Sequence, residues 1–297
     1  MQGKSLAARR SLAIGAYVAL PLLLLVATLW LDSRWYIILS VLLLLCGIVP
    51  FFVSFERKKP RAREVVLLAV MSALVMIANL ASFMMVPFQA GTAMVLIAGV
   101  AFGPEMGFMA GALGRLSVNM FYGQGIWTPW QMFAWGMLGL LAGLVFAAYE
   151  AAQIQPHPFR TLLCFISLPV GCVCLGELTL VFCGAYADLA WGIYCFGLIG
   201  LLIALVCFKN RLQANRMVLA LFGFCLTFFV YGGVMNFSTA VLSGLFDSFS
   251  FEGLSIIFLA GIPYDFLHAL GVAIFLFCFG EMIIKKFRRI KKKYRIL

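Results

Sequence analysis

The chain has 297 residues, of which 64% are hydrophobic and 11% charged, with a formal net charge of +11. A soluble domain carries roughly 25% charged residues, so a water-soluble globular fold is excluded and the apolar surplus has to face lipid. The positive balance does not point to nucleic acid: it sits in short links between apolar runs and in a tail from Lys285 to Arg295, where it orients spans and meets anionic headgroups.

Apolar runs of about 20 residues recur from end to end, each long enough to cross ~30 Å of hydrocarbon. Backbone groups at that depth must pair within their own segment, which makes helices the default. The alternation of a β-barrel strand is absent. The fold class expected is therefore all-α, a polytopic membrane helical bundle.

The first run, Leu12–Leu31, follows Lys4, Arg9 and Arg10 and so has the start of a signal peptide. Its length, and a second run at Trp35–Phe55 directly behind it, predict instead a retained two-helix hairpin occupying residues 1–60. The polar stretch from Glu56 to Glu64 is the clearest linker. Further spans are predicted at Val65–Val86, Thr92–Gly103, Met106–Tyr122, Pro129–Tyr149, Thr161–Cys183, Trp191–Phe208, Arg216–Ser243 and Leu254–Ile284.

Thr92–Gly103 is short, about 18 Å of helix at 1.5 Å per residue, and one helix from Thr92 to Tyr122 is the alternative. Charge decides between them. With about ten spans, every basic residue of the 22 except Arg34 and Arg115 falls on one side, which predicts both termini in the cytoplasm of a multi-pass cell-membrane protein. Merging the pair would put the basic tail outside. The break at Gly103-Pro104 agrees with two helices. Gly99 and Gly103 on one arm, and Gly107 and Gly111 on the next, predict close backbone packing.

The nine cysteines (Cys46, Cys164, Cys172, Cys174, Cys183, Cys195, Cys207, Cys225 and Cys278) all lie in apolar runs, where reduced cysteine acts as a small hydrophobe. Their spacings fit neither a zinc site nor a disulfide framework. No cofactor and no metal is expected.

Ionisable groups at membrane depth are costly and usually functional. Arg115, Glu177, Asp265 and His268 are such groups, the last two just after Pro263, which should bend its helix. Arg115 and Asp265 are expected either to form an internal ion pair or to contact a ligand. His268 lies three residues from Asp265 on the same face, and either forms a polar pair with it or bonds a backbone carbonyl. Glu177 has no companion in the sequence.

A second cluster runs from Asn119 to Trp135 (NMFYGQGIWTPWQMFAW) around a predicted outside loop. It combines Tyr122, Trp127, Trp130 and Trp135 with Asn119, Gln124 and Gln131, and Gly123 and Gly125 permit unusual turns. Single tryptophans at this depth are usually interfacial anchors. The density of rings and amides here suits a flat, heteroaromatic, mostly uncharged ligand. Asn236, in YGGVMN, adds another amide, and Asp265 and His268 are expected at or just below the floor of the same pocket.

AREVVLLAVMSAL at Ala62–Leu74, FGPEMGFMAGALGRLSVNMFYGQGIWTPWQMFAWG at Phe102–Gly136, YGGVMN at Tyr231–Asn236 and GIPYDFLHA at Gly261–Ala269 together resemble the substrate-specific (S) components of energy-coupling factor (ECF) transporters. The resemblance implies a six-helix core built from residues 61–150 and 216–297, the latter ending in the basic tail, with 151–215 as an inserted two-helix segment. It implies a vitamin-binding subunit with a transmembrane coupling subunit and two ATPase subunits as partners, and no catalysis by this chain, which lacks a GxxxxGK[ST] nucleotide loop. It also implies docking through Ala69 and Ala73, small residues four apart that make a flat face for another helix. The stretch from WTPWQMFAWG to PYDFLHA looks most like the cobalamin-type branch. The competing readings are a stand-alone ion-coupled secondary transporter of a small aromatic or heterocyclic solute, for which internal repeats are not evident, and an intramembrane enzyme, for which no triad or metal cluster appears.

Overall fold

The computed structural model describes residues 33–82, 89–152, 158–208, 212–245 and 250–294. Every regular element among them is helical. The run Leu12–Leu31 lies outside the described residues. The others form α1 (Ser33–Arg57), α2 (Ala62–Ser82), α3 (Ala90–Phe102), α4 (Pro104–Tyr122), α5 (Thr128–Ala152), α6 (Pro158–Phe182), α7 (Leu189–Phe208), α8 (Arg216–Leu242) and α9 (Phe251–Tyr294). Among them α2, α8 and α9, and most of α5, α6 and α7, are long and apolar enough to cross a membrane.

The short α3 is the centre of the bundle. All of its residues are buried, packed among α2, α4, α5 and α9. A helix with protein on every side has no lipid to match, which explains how 13 residues suffice. It ends at Gly103, whose φ of +101° only glycine adopts without strain, and Pro104 opens α4 at its first position. Two helices, rather than one from Thr92 to Tyr122, are thus formed.

The close packing expected of the glycines occurs, with α5 as the third party. A Cβ at Gly99 or Gly107 would run into the Gly139 carbonyl of α5, and one at Gly143 would run into Pro104. At Gly111 it would lie 2.6 Å from the Trp135 carbonyl oxygen. Backbone therefore touches backbone along α3, α4 and α5. On the other flank Gly114 of α4 receives Val75 of α2, and Phe51 of α1 stacks on Phe108 at 3.7 Å.

The pair α6 and α7 packs mainly on itself and reaches the bundle through α8 and α9. Both of those last helices carry a π-helical turn, at Leu226–Gly232 and Leu276–Gly280. Such turns widen a helix locally and often mark functional sites. Helix α9 runs through Pro263 without interruption and continues as a strongly amphipathic basic segment from Glu281 to Tyr294. Lys58 pairs with Glu105, Arg216 with Glu281, and Arg63 bonds the Tyr294 carbonyl, so the basic links gather at one end of the bundle.

Because the α3–α4–α5 contact leaves no room for a methyl group, Gly107→Ala and Gly139→Ala should each lower stability by about 1–3 kcal/mol. The readout is the thermal midpoint in detergent. Gly171→Ala, where a Cβ meets open space, should leave the midpoint unchanged or raise it; equal effects at all three positions would refute the contact.

Candidate functional site

The loop between α4 and α5 is organised by Thr128. Its hydroxyl receives the Gly125 amide and the Asn119 side-chain amide, each at 3.1 Å, and donates to Gln124 Oε1 at 3.0 Å. Gln124 returns its own amide to the Leu116 carbonyl at 3.2 Å. Gly123, at φ +102°, lets the chain turn out of α4. One turn into α5, Gln131 Oε1 accepts from Asn119 Nδ2 at 2.8 Å and from Arg115 Nε at 2.9 Å. The Arg115 guanidinium lies 5.1 Å from the centre of the Trp135 ring, a cation–π distance.

The sequence-predicted cluster is thus brought together in part. Arg115, Asn119, Gln124, Gln131 and Trp135 form one connected group. Trp130 and Trp135 are buried, at 5% and 1% exposure, whereas Tyr122 and Trp127 are both 44% exposed on the outside of the loop. Trp130 packs edge-on to Phe237 of α8 at 5.9 Å. The indole N–H groups of Trp130 and Trp135 have no hydrogen-bond partner, although both are buried.

Asp265 belongs to a different group. Its Oδ2 accepts from Tyr194 Oη at 2.6 Å and from Asn236 Nδ2 at 2.8 Å, with all three side chains buried. Gly232, at the end of the π turn of α8, admits the carboxylate, since a Cβ there would lie 2.6 Å from Oδ2. Asn236 therefore joins the acid rather than the amides of the loop.

The Arg115–Asp265 ion pair is not formed. Arg115 leaves α4 towards α5, while Asp265 faces α7 and α8; the salt bridges among the described residues are Lys58–Glu105, Arg216–Glu281 and Lys285–Glu281. Nor do Asp265 and His268 bond each other. His268 Nε2 pairs with Thr92 Oγ1 of α3 at 3.0 Å, its ring meets Tyr231 edge-on at 4.7 Å, and Nδ1 has no partner. Helix α5 packs against α8, with Trp130 on Phe237, so the α4–α5 group adjoins the helix that carries Tyr231 and Asn236.

Sequence reasoning did not single out Thr92, Thr128, Tyr194 or Tyr231. Thr128 had a legible signal, a hydroxyl residue just before a proline at a helix start. Tyr194 had only its polarity within an apolar run. Glu177 lies against Gly192 with Oε1 unpaired. Among the described residues no group of three or more His, Cys, Asp or Glu side chains can hold a metal.

The family described as "ECF-type riboflavin transporter, S component" matches residues 59–195. The resemblance to ECF S components thus has independent support. The matched stretch runs from the loop after α1 through α6 into α7, and it names riboflavin, not the cobalamin-type branch; the matched family is one of transport subunits, not enzymes. A UPF0397 protein of Vibrio atlanticus (strain LGP32) is 37% identical over 89 residues, which is 28% of this chain and 48% of that protein. The chain spans about half the length of this curated relative. No solved structure matches the chain.

The hydroxyl of Tyr194 is one of two donors to a buried carboxylate. Tyr194→Phe should therefore cost about 1–3 kcal/mol, measured by thermal unfolding in detergent, against no change for Tyr186→Phe, whose ring is 65% exposed.

Proposed function

We propose that this chain is the membrane-embedded substrate-binding subunit of an ECF-type importer, and that its ligand is riboflavin or a closely related flat heteroaromatic vitamin. The observation that carries the reading is the connected group of Arg115, Gln131 and Asn119, with the Arg115 guanidinium laid on the Trp135 ring, inside the stretch that is similar to riboflavin S components. Fixed amides and a guanidinium beside aromatic side chains are the kind of lining a flat, polar-edged molecule uses. The cobalamin-type reading, by contrast, has only the motif likeness behind it.

In this reading the α4–α5 loop lies on the outer side and both termini are cytoplasmic. Gathering of the basic links at one end of the bundle supports that orientation. A transmembrane coupling subunit driven by two ATPases would dock on α2. Its Ala69 and Ala73 are exposed, in a face shared with Val65, Val66, Val70 and Ile77, opposite the buried Leu67, Met71 and Val75. An apolar groove of about 420 Å³ adjoins that face, between Val66 and Val70 of α2 and Phe287 and Ile290 of α9.

Trp135→Phe keeps an aromatic ring but removes the unpaired N–H. It should weaken riboflavin binding at least tenfold, about 1.4 kcal/mol, by calorimetry in detergent at a temperature where the thermal midpoint shows the variant folded. Unchanged affinity would make Trp135 a packing residue only.

Ala69→Trp or Ala73→Trp should abolish cellular uptake and leave binding by the solitary subunit intact. Equal loss of both would mean that the alanines serve this chain's own fold, and ion-driven uptake by the solitary chain in proteoliposomes would favour the secondary-transporter reading. With native cysteines replaced, thiol labels at position 186 should react from outside and at position 292 from inside.

A further inference from the structure

The hydrogen-bonding capacity left unused around the candidate site is mostly of one kind. Arg115 uses Nε on Gln131 and lays its guanidinium on Trp135, while its two terminal nitrogens bond no described residue. The N–H groups of Trp130 and Trp135 are buried donors without acceptors. A guanidinium offers five donors and no acceptor, and an indole one donor and no acceptor. The buried carboxylate of Asp265 is engaged by Tyr194 and Asn236, and Arg115 takes part in none of the salt bridges among the described residues.

A cation half-buried in a membrane bundle, with no carboxylate paired to it among the described residues, is costly unless something neutralises it. The structural alternative, a cation solvated by neutral groups, accounts for Nε but not for the terminal nitrogens or the indole donors. Arg115 is also held rather than loose. Gln131 fixes one edge of its plane and Trp135 one face, which leaves the terminal fork presented in a set direction. Such a fork matches the paired oxygens of a carboxylate or phosphate.

We infer that Arg115 is a specificity-determining residue that recognises an anionic group, carboxylate or phosphate, on the ligand. The inference rests on the flavin-type reading above and sharpens it: among the flavin-type relatives of riboflavin, one carrying a negative charge is held more tightly than the neutral molecule.

The test uses the full chain in detergent with two matched pairs on one ring system. Riboflavin is compared with flavin mononucleotide, and lumiflavin with its 10-carboxymethyl analogue, by quenching of flavin fluorescence. The parent chain should bind the charged member of at least one pair at least tenfold more tightly. Preference in the first pair identifies phosphate, and preference in the second carboxylate. Arg115→Gln should erase the preference, and Arg115→Lys, which keeps the charge but loses the fork, should retain part of it. The Lys variant also covers the case in which Arg115→Gln does not fold, as judged by its thermal midpoint.

Equal or tighter binding of the neutral members would overturn the inference and leave the flavin reading standing. So would a preference that survives in Arg115→Gln. Binding of none of the four flavins would overturn both.

Discussion

The contact on which the rest depends is backbone on backbone, where Gly99 and Gly107 meet Gly139 and where Gly143 meets Pro104. In a membrane the hydrophobic effect does not press helices together, because lipid is as apolar as leucine; close van der Waals fit has to do it. Removing side chains along one line lets α5 sit against the α3–α4 junction. The same line continues to Gly111, which lies on the Trp135 carbonyl. That contact fixes the height of α5 against α4, and hence which turn of α5 faces Arg115 and Asn119. The hydrogen bonds from both to Gln131 follow from this register. A side chain one carbon longer at Gly107 or Gly139 would displace the helix that carries two of the site's residues.

The second organising group is centred on Asp265. A buried carboxylate is tolerated when donors meet it, and here one donor comes from α8 and the other from α7. Tyr194 is itself held by Phe228, stacked at 5.1 Å, and by Phe258, edge-on at 5.1 Å. The α6–α7 pair is therefore not an appendage. It supplies one of the acid's two donors and packs against the π turn that makes room for it. The family match, which continues through α6 into α7, covers this contributor as well as the loop group.

Much of the fold was legible because membrane depth leaves few options. Apolar length marked the helices, and the Gly-Pro pair marked the break between α3 and α4. The shortness of α3 was legible too, but its meaning was not: only packing on every side shows why a short helix is sufficient. The site was legible by composition and not by pairing. Sequence placed Arg115 and Asp265 at depth and offered either an ion pair between them or contact with a ligand. The structure separates them, because partner choice is set by the direction in which each helix face points. Thr128 and Tyr194 escaped notice since a neutral hydroxyl is cheap in a membrane sequence and becomes informative only when its partners are known.

Helix α2 connects the two proposed roles of the chain physically. Its buried face meets α4 where Val75 enters the space left by Gly114, one residue before Arg115, and meets α3 where Asn79 lies against Gly91, one residue before Thr92. Its opposite face, with Ala69 and Ala73, is open. The residues next to Arg115 and to the His268–Thr92 bond thus rest on the back of the helix proposed for docking. Such tight contacts transmit small displacements as rigid shifts, because packed interiors have little slack. In the proposed reading, a ligand held by Arg115 would bear on α2 through the contact of Val75 with Gly114.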